Sequence, residues 1–345
     1  MGVAGRRAQF LPLFVRLIFG TKENVNRDAQ KNAGSQFGDN AFKWLTLVMA
    51  LTIFALVALI GFELFRGSHL SLQKFGWHFL ISSDWDPGND VYGALPFIYG
   101  TLVSSAIALI IAVPISIATA VYLTELAPLR IRQPLIMFIE LLAAVPSVIL
   151  GLWGFFVMVP FLQGDAAHPN HPYPWLERHF GFLPIFHGPS YGPCFLSAGI
   201  ILAIMVIPII TSVSREILRS VPGLQREAAY ALGATRWEVT RIAVLSYAKK
   251  GLFGAVILGL GRALGETMAV TMVIGNTPQI VASLLKPGYT LASVIANEFN
   301  EATGNLYPSA LFEIGLVLLG VTVLVNIFAQ LLLKTFAGPS VKPQN

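Results

Sequence analysis

The chain has 345 residues and a formal net charge of +5, with 55% hydrophobic and only 12% charged residues. Soluble domains carry about 25% charged residues, and the mean hydropathy of this chain is +0.68. This composition excludes an ordinary soluble domain and indicates a polytopic membrane protein. Because Cys194 is the single cysteine, an internal disulfide is excluded as well.

Residues 1–43 are predicted to form a cytoplasmic N-terminal tail, with a helix at the membrane interface as the alternative for part of it. A signal peptide is disfavoured because Pro12 and Arg16 interrupt the first apolar run. No small-residue cleavage site follows that run at residues 21–24. We therefore expect the first membrane-embedded segment to begin after this region.

Six segments are long and apolar enough to cross a bilayer, which takes about 20 residues. They cover residues 44–65, 94–123, 134–162, 194–214, 251–276 and 308–333. The second and third exceed the bilayer thickness, so we expect them to tilt or to extend beyond it. The sequence thus predicts an all-α membrane protein with six transmembrane helices. Its regions are a first helix with its outer loop at 44–93, a main transmembrane region at 94–335 and a cytoplasmic tail at 336–345.

Lysine and arginine are distributed unevenly between the two sides that six spans create. With the N-terminus inside, eighteen of the 23 basic residues lie in inner segments and four in outer loops. The remaining one, Arg262, lies within the fifth span. Under the positive-inside rule this distribution predicts that both termini are cytoplasmic. Since the basic residues flank apolar runs, the net charge does not indicate nucleic-acid binding.

Two outer loops contain residues that bind metals in other proteins. In the loop at 163–193, prolines separate the histidines and no cysteine ligand or pair of carboxylates lies nearby, so we expect no metal site. This aromatic loop is better suited to contact a partner or lipid headgroups. In the first outer loop, Asp84, Asp86 and Asp90 lie beside Pro87-Gly88, which favours a turn over a calcium site.

The inner loop at 215–250 carries the signals of two short helices. Ser220 can cap the first, with Pro222 near its first position and residues 224–232 forming its body. Gly233 can end that helix in the left-handed conformation, and Thr235-Arg-Trp-Glu238 is a capping box for the second. Because both ends of the loop continue into membrane helices, it cannot enter a DNA groove. We expect a docking element at the membrane face.

Arg262 and Glu266 place opposite charges inside the fifth predicted span. At about 1.5 Å per residue from Gly251, Arg262 lies roughly 17 Å deep in a hydrocarbon core of about 30 Å. Glu266 follows one turn later on the same face, so the two can form an ion pair. Ionisable residues at this depth usually mark a transport pathway, and the alternative is a buried pair that fixes helix packing.

Small residues surround this pair in the sequence Gly259-Leu-Gly-Arg-Ala-Leu-Gly-Glu-Thr267. The glycines leave room for an anion or for a closely packed helix. We therefore take the following as candidate pathway residues: Gly261, Arg262, Gly265, Glu266 and Thr267.

Part of the inner loop resembles a known coupling element. Glu227-Ala-Ala229, followed by Gly233 six residues after the glutamate, resembles the EAA loop of ABC-importer permeases. The second half departs from the family pattern, because Ala243-Val-Leu-Ser246 stands where Ile-x-Leu-Pro is usual. The resemblance implies that Glu227, Ala228, Ala229 and Gly233 couple the chain to a cytoplasmic ATPase.

A wider resemblance covers residues 94–335. Pro96–Ser104, Val121–Pro128, Val145–Gly154 and Gly261–Ala269 are similar to the PstC-type permeases of the bacterial phosphate-specific transport system. The related PstA-type permeases are close kin, but the N-terminal region and Thr124-Glu-Leu-Ala-Pro128 favour the PstC type. The resemblance implies the MetI-like ABC-importer permease fold with cytoplasmic coupling helices.

The resemblance also implies a function, partners and a location. The chain would form half of the pathway of an ATP-driven inorganic phosphate importer in the bacterial inner membrane. Its partners would be a PstA-type permease, two cytoplasmic ATPase subunits, a periplasmic phosphate-binding protein and membrane lipid. The sequence contains no phosphate-binding loop of the Gly-x-x-x-x-Gly-Lys-Ser/Thr form. We therefore expect no catalytic residue and no cofactor in this chain, with ATP and magnesium held by the ATPase subunits.

In this setting Arg262 suits phosphate, because a guanidinium donates two parallel hydrogen bonds to an oxyanion. Glu266 has two alternative roles: it holds Arg262 when no anion is present, or it accepts a hydrogen bond from protonated phosphate. Sulfate, being fully ionised, cannot donate that bond. Other readings are an ABC permease for sulfate or molybdate, and an ion-coupled transporter that uses Glu266 as a proton site. A membrane enzyme is disfavoured because no cluster of catalytic residues is evident.

Overall fold

The computed structural model describes residues 33–164, 171–189 and 192–336. The predicted tails before residue 33 and after residue 336, and His168 of the outer loop, lie outside these ranges. In the described parts the chain is helical, and the sole β pairing there is an isolated antiparallel bridge between Asp86 and Val91.

The α-helices are, in chain order, α1 (Ala33–Gly67), α2 (His69–Phe75), α3 (His78–Ile81), α4 (Leu95–Val121), α5 (Leu129–Ala144), α6 (Ser147–Trp153), α7 (Val159–Gln163), α8 (Pro172–Phe180), α9 (Phe195–Arg219), α10 (Gly223–Ala231), α11 (Arg236–Glu238), α12 (Ser246–Leu264), α13 (Met268–Val273), α14 (Leu291–Glu298) and α15 (Leu306–Phe336). Three π-helical segments continue α4, α6 and α11, at Tyr122–Leu126, Gly154–Met158 and Val239–Leu245. Short 3-10 helices lie at Pro87–Asn89 and Pro184–Phe186.

Five helical segments in the described ranges are long and apolar enough to cross a membrane. They are Gly38–Gly67, Leu95–Leu126, Phe195–Arg219, Arg236–Leu264 and Leu306–Leu333. A sixth crossing is formed if α5 and the segment Ser147–Gln163 are taken together. The predicted six segments correspond to these, and the first helix is longer than its predicted bounds of 44–65.

The third predicted segment is not one tilted helix, because the chain bends by 94° between its two halves. Val145 adopts an extended conformation with ψ 127°, and Pro146 follows with ψ 138°. A proline disfavours the helical conformation of the residue before it and cannot donate a backbone hydrogen bond. Pro114 and Pro208, in contrast, are accommodated inside α4 and α9.

The fifth predicted segment, 251–276, was wrong at both ends. A continuous helix begins at Arg236 and ends at Leu264, where Gly265 caps it. Three non-helical residues precede α13, so Glu266 and Thr267 lie in a break of the helix. Because glycine has a low helix propensity, ending the helix at Gly265 loses little free energy.

The chain divides into two compact units, Met1–Ala58 and Leu59–Asn345. In the first unit the described part is α1 up to Ala58. From Phe42 to Val57 its large apolar side chains, except that of the half-buried Leu47, are exposed, as a lipid-facing helix requires. In the second unit α4 and α9 form the centre of the main core, joined by parts of α12 and α13. Alanines such as Ala108 and Ala198 are fully buried there, and small side chains let helices approach closely.

Candidate functional site

Arg262 and Glu266 form an ion pair across the break at the end of α12. The distance between Arg262 Nη2 and Glu266 Oε2 is 3.3 Å. The glutamate side chain is only 5% exposed, whereas the arginine side chain is 48% exposed. The predicted pairing is therefore present, although the two residues do not share one helix. The role of the pair in transport stays a prediction.

The two charges are held by different parts of the chain. Arg262 is in the last turn of α12. Glu266 lies before α13, and its Oε1 accepts a hydrogen bond from the backbone N–H of Ala269 at 3.4 Å. This bond places an acidic group at the N-terminal end of a helix, where it is favourable. The carboxylate is thus held by α13, while about half of the Arg262 side chain stays exposed.

The neighbouring glycines divide into two kinds. A Cβ atom on Gly259 would lie 2.6 Å from Ile210 Cγ1 and 2.8 Å from Val206 Cγ1, so this glycine lets α12 pack closely against α9. A Cβ atom on Gly261 would meet no atom within 4 Å, and one on Gly265 only the carbonyl oxygen of Gly261 at 3.6 Å. Gly261 and Gly265 therefore leave open space beside Arg262.

Thr267 and α13 complete the surroundings of the pair. The Thr267 hydroxyl donates to the carbonyl oxygen of Gly265 at 3.4 Å, inside the break. On its other side α13 packs against α6, where a Cβ on Gly151 would lie 2.9 Å from Ala269 Cα and 2.8 Å from Met272 Sδ. The part of the third segment that follows the bend, α6, therefore supports the element that holds Glu266.

Two other acidic residues within the predicted spans lie elsewhere. Glu140 of α5 is 60% exposed and lies 3.6 Å from Arg215 of α9, which is an interhelical ion pair. Glu313 of α15 is buried, and its Oε2 has no hydrogen-bond partner among the described residues. Neither residue lies next to Arg262 in the chain or forms an ion pair with it.

The inner loop forms the two predicted short helices. Gly233 has φ 81°, which is the left-handed conformation expected of it. Thr235 Oγ1 accepts from the backbone N–H of Glu238, and the Glu238 carboxylate accepts from the Thr235 N–H, so the predicted capping box is confirmed. Ser220 does not cap α10, because its hydroxyl donates to the carbonyl oxygen of Ile217 at the end of α9. Pro222 takes the N-cap position instead.

The helix α10 presents the candidate coupling residues on an exposed surface. None of its residues is buried, and Glu227 and Ala228 are exposed. Large apolar side chains nearby are also exposed, including Leu224 and Leu232. Such a surface suits contact with another protein. The coupling roles of Glu227, Ala228, Ala229 and Gly233 stay predictions.

One contact of this loop has no local signal in the sequence. Arg226 of α10 forms an ion pair with Glu125, with 2.9 Å between Nη2 and Oε1. Glu125 lies in the π-helical turn that ends the α4 span. Because 101 residues separate the partners, no local spacing in the sequence indicates the pair.

The outer loops contain turns, and their histidine rings lie against backbone carbonyl groups. His171, His179 and His187 each place Nδ1 within hydrogen-bond distance of a different backbone carbonyl. Among the described residues no group of three potential ligands converges on a point where a metal could bind. The predicted turn after Asp84 is present, and Asp86 accepts hydrogen bonds there from the Asn89 side chain and the Gly88 N–H. The hydrogen bond from the Asn89 side chain lowers the pKa of Asp86 most, and the backbone hydrogen bond from Gly88 lowers it further.

Several known proteins that are similar to this chain carry the same name. "Phosphate transport system permease protein PstC" of Mesorhizobium japonicum is 45% identical over 299 residues, which cover 86% of this chain and 90% of the relative. The protein of the same name from Haemophilus influenzae is 47% identical over 299 residues, covering 86% and 93%. A "probable" PstC protein of Methanocaldococcus jannaschii is 38% identical over 300 residues, covering 85% and 93%.

A solved structure supports the fold. One chain of a bacterial ABC transporter involved in the import of the acidic polysaccharide alginate matches with a TM-score of 0.54 and 16% identity. The match covers 88% of this chain and 99% of that chain. It confirms the predicted ABC-importer permease fold.

The model of the family described as "Binding-protein-dependent transport system inner membrane component" matches residues 112–337. This match spans more than half of the chain, and the relatives above extend it towards the N-terminus. The chain therefore belongs to the binding-protein-dependent transport system inner membrane components, and within them to the PstC permeases.

Proposed function

We propose that this chain is a transmembrane permease subunit of an ATP-driven importer of inorganic phosphate. The observation that carries the proposal is the 45–47% identity to phosphate transport permeases along most of both chains. The half-exposed side chain of Arg262, beside open space at Gly261 and Gly265, provides a site with chemistry suited to an oxyanion. The chain forms half of the translocation pathway.

The other half comes from a PstA-type permease, and the pair receives phosphate from a periplasmic phosphate-binding protein. The family description, which names binding-protein-dependent transport, supports this arrangement. Two cytoplasmic ATPase subunits hold ATP and magnesium and dock on α10. The exposed apolar side chains of Leu224 and Leu232 support the docking. This chain itself needs no cofactor.

The chain lies in the inner membrane with both termini in the cytoplasm. The distribution of basic residues, eighteen inside against four outside, supports this orientation. It places α10 on the cytoplasmic side, where ATP is available. It also places the loop containing α8 on the periplasmic side, where the binding protein arrives.

During transport Arg262 binds the phosphate by two parallel hydrogen bonds, in exchange for its contact with Glu266. A charge left unpaired in the membrane is unfavourable by about 3 kcal/mol on insertion scales. Glu266 therefore stabilises the arginine when the pathway is empty. The open space at Gly261 lets an anion approach the guanidinium without displacing a side chain.

The test is ATP-dependent uptake of labelled phosphate into vesicles that contain the assembled complex. We expect R262Q to lower uptake by about tenfold or more, since hydrogen bonds to charged groups contribute roughly 1.5–3 kcal/mol. Assembly and ATP hydrolysis are measured in parallel and should be retained. R219Q is the matched control, because Arg219 is an exposed arginine at the end of α9. Normal uptake by R262Q would make the ion pair a packing device and place the pathway elsewhere.

A further inference from the structure

Arg226 joins three elements at the end of the molecule where the inner loop lies. Its Nη2 lies 2.9 Å from Oε1 of Glu125, and its Nε lies 3.4 Å from Oε2 of the same carboxylate. Its guanidinium also donates to the carbonyl oxygens of Val221 at 2.6 Å and of Leu218 at 2.9 Å. The carbonyl of Leu218 is in the last turn of α9 and that of Val221 lies just beyond the helix end, where helical partners are lacking and a cation is favourable.

The pair differs from the other ion pairs nearby because both of its partners are largely buried. The side chains of Arg226 and Glu125 are 22% and 13% exposed. Arg219 and Glu216, at the end of the same helix α9, are 44% and 62% exposed. Exposed pairs contribute little because water screens them, whereas a two-pronged contact between arginine and a carboxylate fixes orientation as well as distance. The Glu125–Arg226 pair is thus a stiff contact between α10 and the end of the α4 span.

A second contact extends this connection to α5. Arg132 of α5 donates through Nη2 to the carbonyl oxygen of Thr124 at 2.6 Å. Thr124 is the neighbour of Glu125 in the π-helical segment Tyr122–Leu126. Single π-helical turns are frequent at functional sites. The end of the α4 span is therefore held from both sides, by α10 and by α5.

The contacts continue from α5 to the candidate pathway. After the 94° bend α5 is followed by α6, and Gly151 of α6 packs against Ala269 and Met272 of α13. The N–H of Ala269 binds the carboxylate of Glu266. A displacement of α10 thus has a continuous route of packed and hydrogen-bonded groups to the Arg262–Glu266 pair.

We propose that the Glu125–Arg226 ion pair transmits the movement of α10 to the inner ends of α4 and α5, and so couples ATP hydrolysis to transport. Glu125 is a positioning residue, because it acts through Arg226 and touches no substrate. The proposal rests on the proposed function, in which α10 docks on an ATPase subunit. A merely structural pair would instead affect assembly, ATP hydrolysis and transport together.

The experiment measures ATP hydrolysis and phosphate import in the same proteoliposomes, which contain the purified complex and the binding protein. For E125Q we expect the phosphate imported per ATP hydrolysed to fall about tenfold, a usual size for coupling between sites, with hydrolysis within about twofold of native. R226K keeps the positive charge but cannot make the two-pronged contact with the Glu125 carboxylate. The phosphate imported per ATP hydrolysed should therefore lie between the values of R226Q and of the native complex. The double variant E125Q/R226Q should be no worse than R226Q, because both substitutions remove one shared interaction.

R219Q is the matched control, since it removes the exposed arginine of the pair at the end of α9 and should leave the ratio unchanged. A native ratio in E125Q would overturn the proposal. Failure of both E125Q and R226K to assemble would assign the pair to assembly and overturn it equally. If the native complex imports no phosphate, the proposed function is wrong. The coupling role of the Glu125–Arg226 pair is tested separately, by the difference between the variant and native complexes.

Discussion

At the scale of single residues, Glu266 is the group whose surroundings say most about selectivity. Its side chain is almost fully buried, and its two oxygens face the Ala269 N–H and the Arg262 guanidinium. A carboxylate in this position repels a fully ionised anion but can accept a hydrogen bond from protonated phosphate. The same geometry also suits a group that only holds Arg262 between transport events.

The substitution E266Q separates these two roles. If the carboxylate selects for a protonated oxyanion, E266Q should raise inhibition of phosphate uptake by sulfate about tenfold, since a hydrogen bond to a charged group contributes roughly 1.5–3 kcal/mol. The measurement is labelled phosphate uptake at increasing sulfate concentration. Unchanged exclusion of sulfate in E266Q would leave Glu266 with the holding role. E140Q is the control, because Glu140 is paired with Arg215 on α9 instead.

At the scale of helices, the contact between α12 and α9 depends on Gly259. We expect G259V to destabilise the complex, because overpacking a contact with Ile210 and Val206 costs about 1–3 kcal/mol. G261A adds its methyl group to open space in the same helix, and alanine favours a helix by about 0.5–1 kcal/mol over glycine. Thermal unfolding of the purified complex distinguishes them, and equal stability of the two variants would contradict this packing.

The sequence predicted the helical elements better than their interruptions. The bend at Pro146 has a visible signal, but Pro114 and Pro208 carry the same signal and leave their helices continuous. The end of α12 at Gly265 was missed, because the mostly apolar stretch 251–276 is compatible with one continuous helix and tertiary packing decides where that helix ends. The local capping box at Thr235 was predicted correctly because all of its atoms come from four consecutive residues.

At the scale of the whole molecule, composition and apolar runs were sufficient to predict a membrane protein with six segments. The ion pair of Arg262 with Glu266 could be foreseen, because residues four apart remain close even across the break. The pair of Arg226 with Glu125 could not, because its partners meet only after α4 and α10 have assembled. Long-range contacts of this kind depend on the tertiary structure and leave no periodic pattern in the sequence.

The proposed orientation predicts which surfaces are accessible from each side of the membrane. Leu232 is 90% exposed in the inner loop, and Phe182 is 79% exposed in the loop after α8. In cells that produce the permease without the ATPase subunits, F182C should react with a membrane-impermeant thiol reagent in spheroplasts, whereas L232C should react only after the membrane is opened. Cys194 is buried, so the native chain provides the background. The reverse pattern would invert the proposed topology.

The break at Gly265 has a consequence for how the transporter behaves when it is empty. Arg262 moves with α12, whereas Glu266 is held by α13 through the Ala269 N–H. A rotation that moves the end of α12 away from the start of α13 would therefore separate the arginine from a carboxylate that is buried, which is unfavourable. A bound anion would replace the lost partner of Arg262 and remove that barrier. In the proposed importer, the conformational cycle is then slow when no phosphate is bound, and phosphate binding at the break in the helix accelerates it.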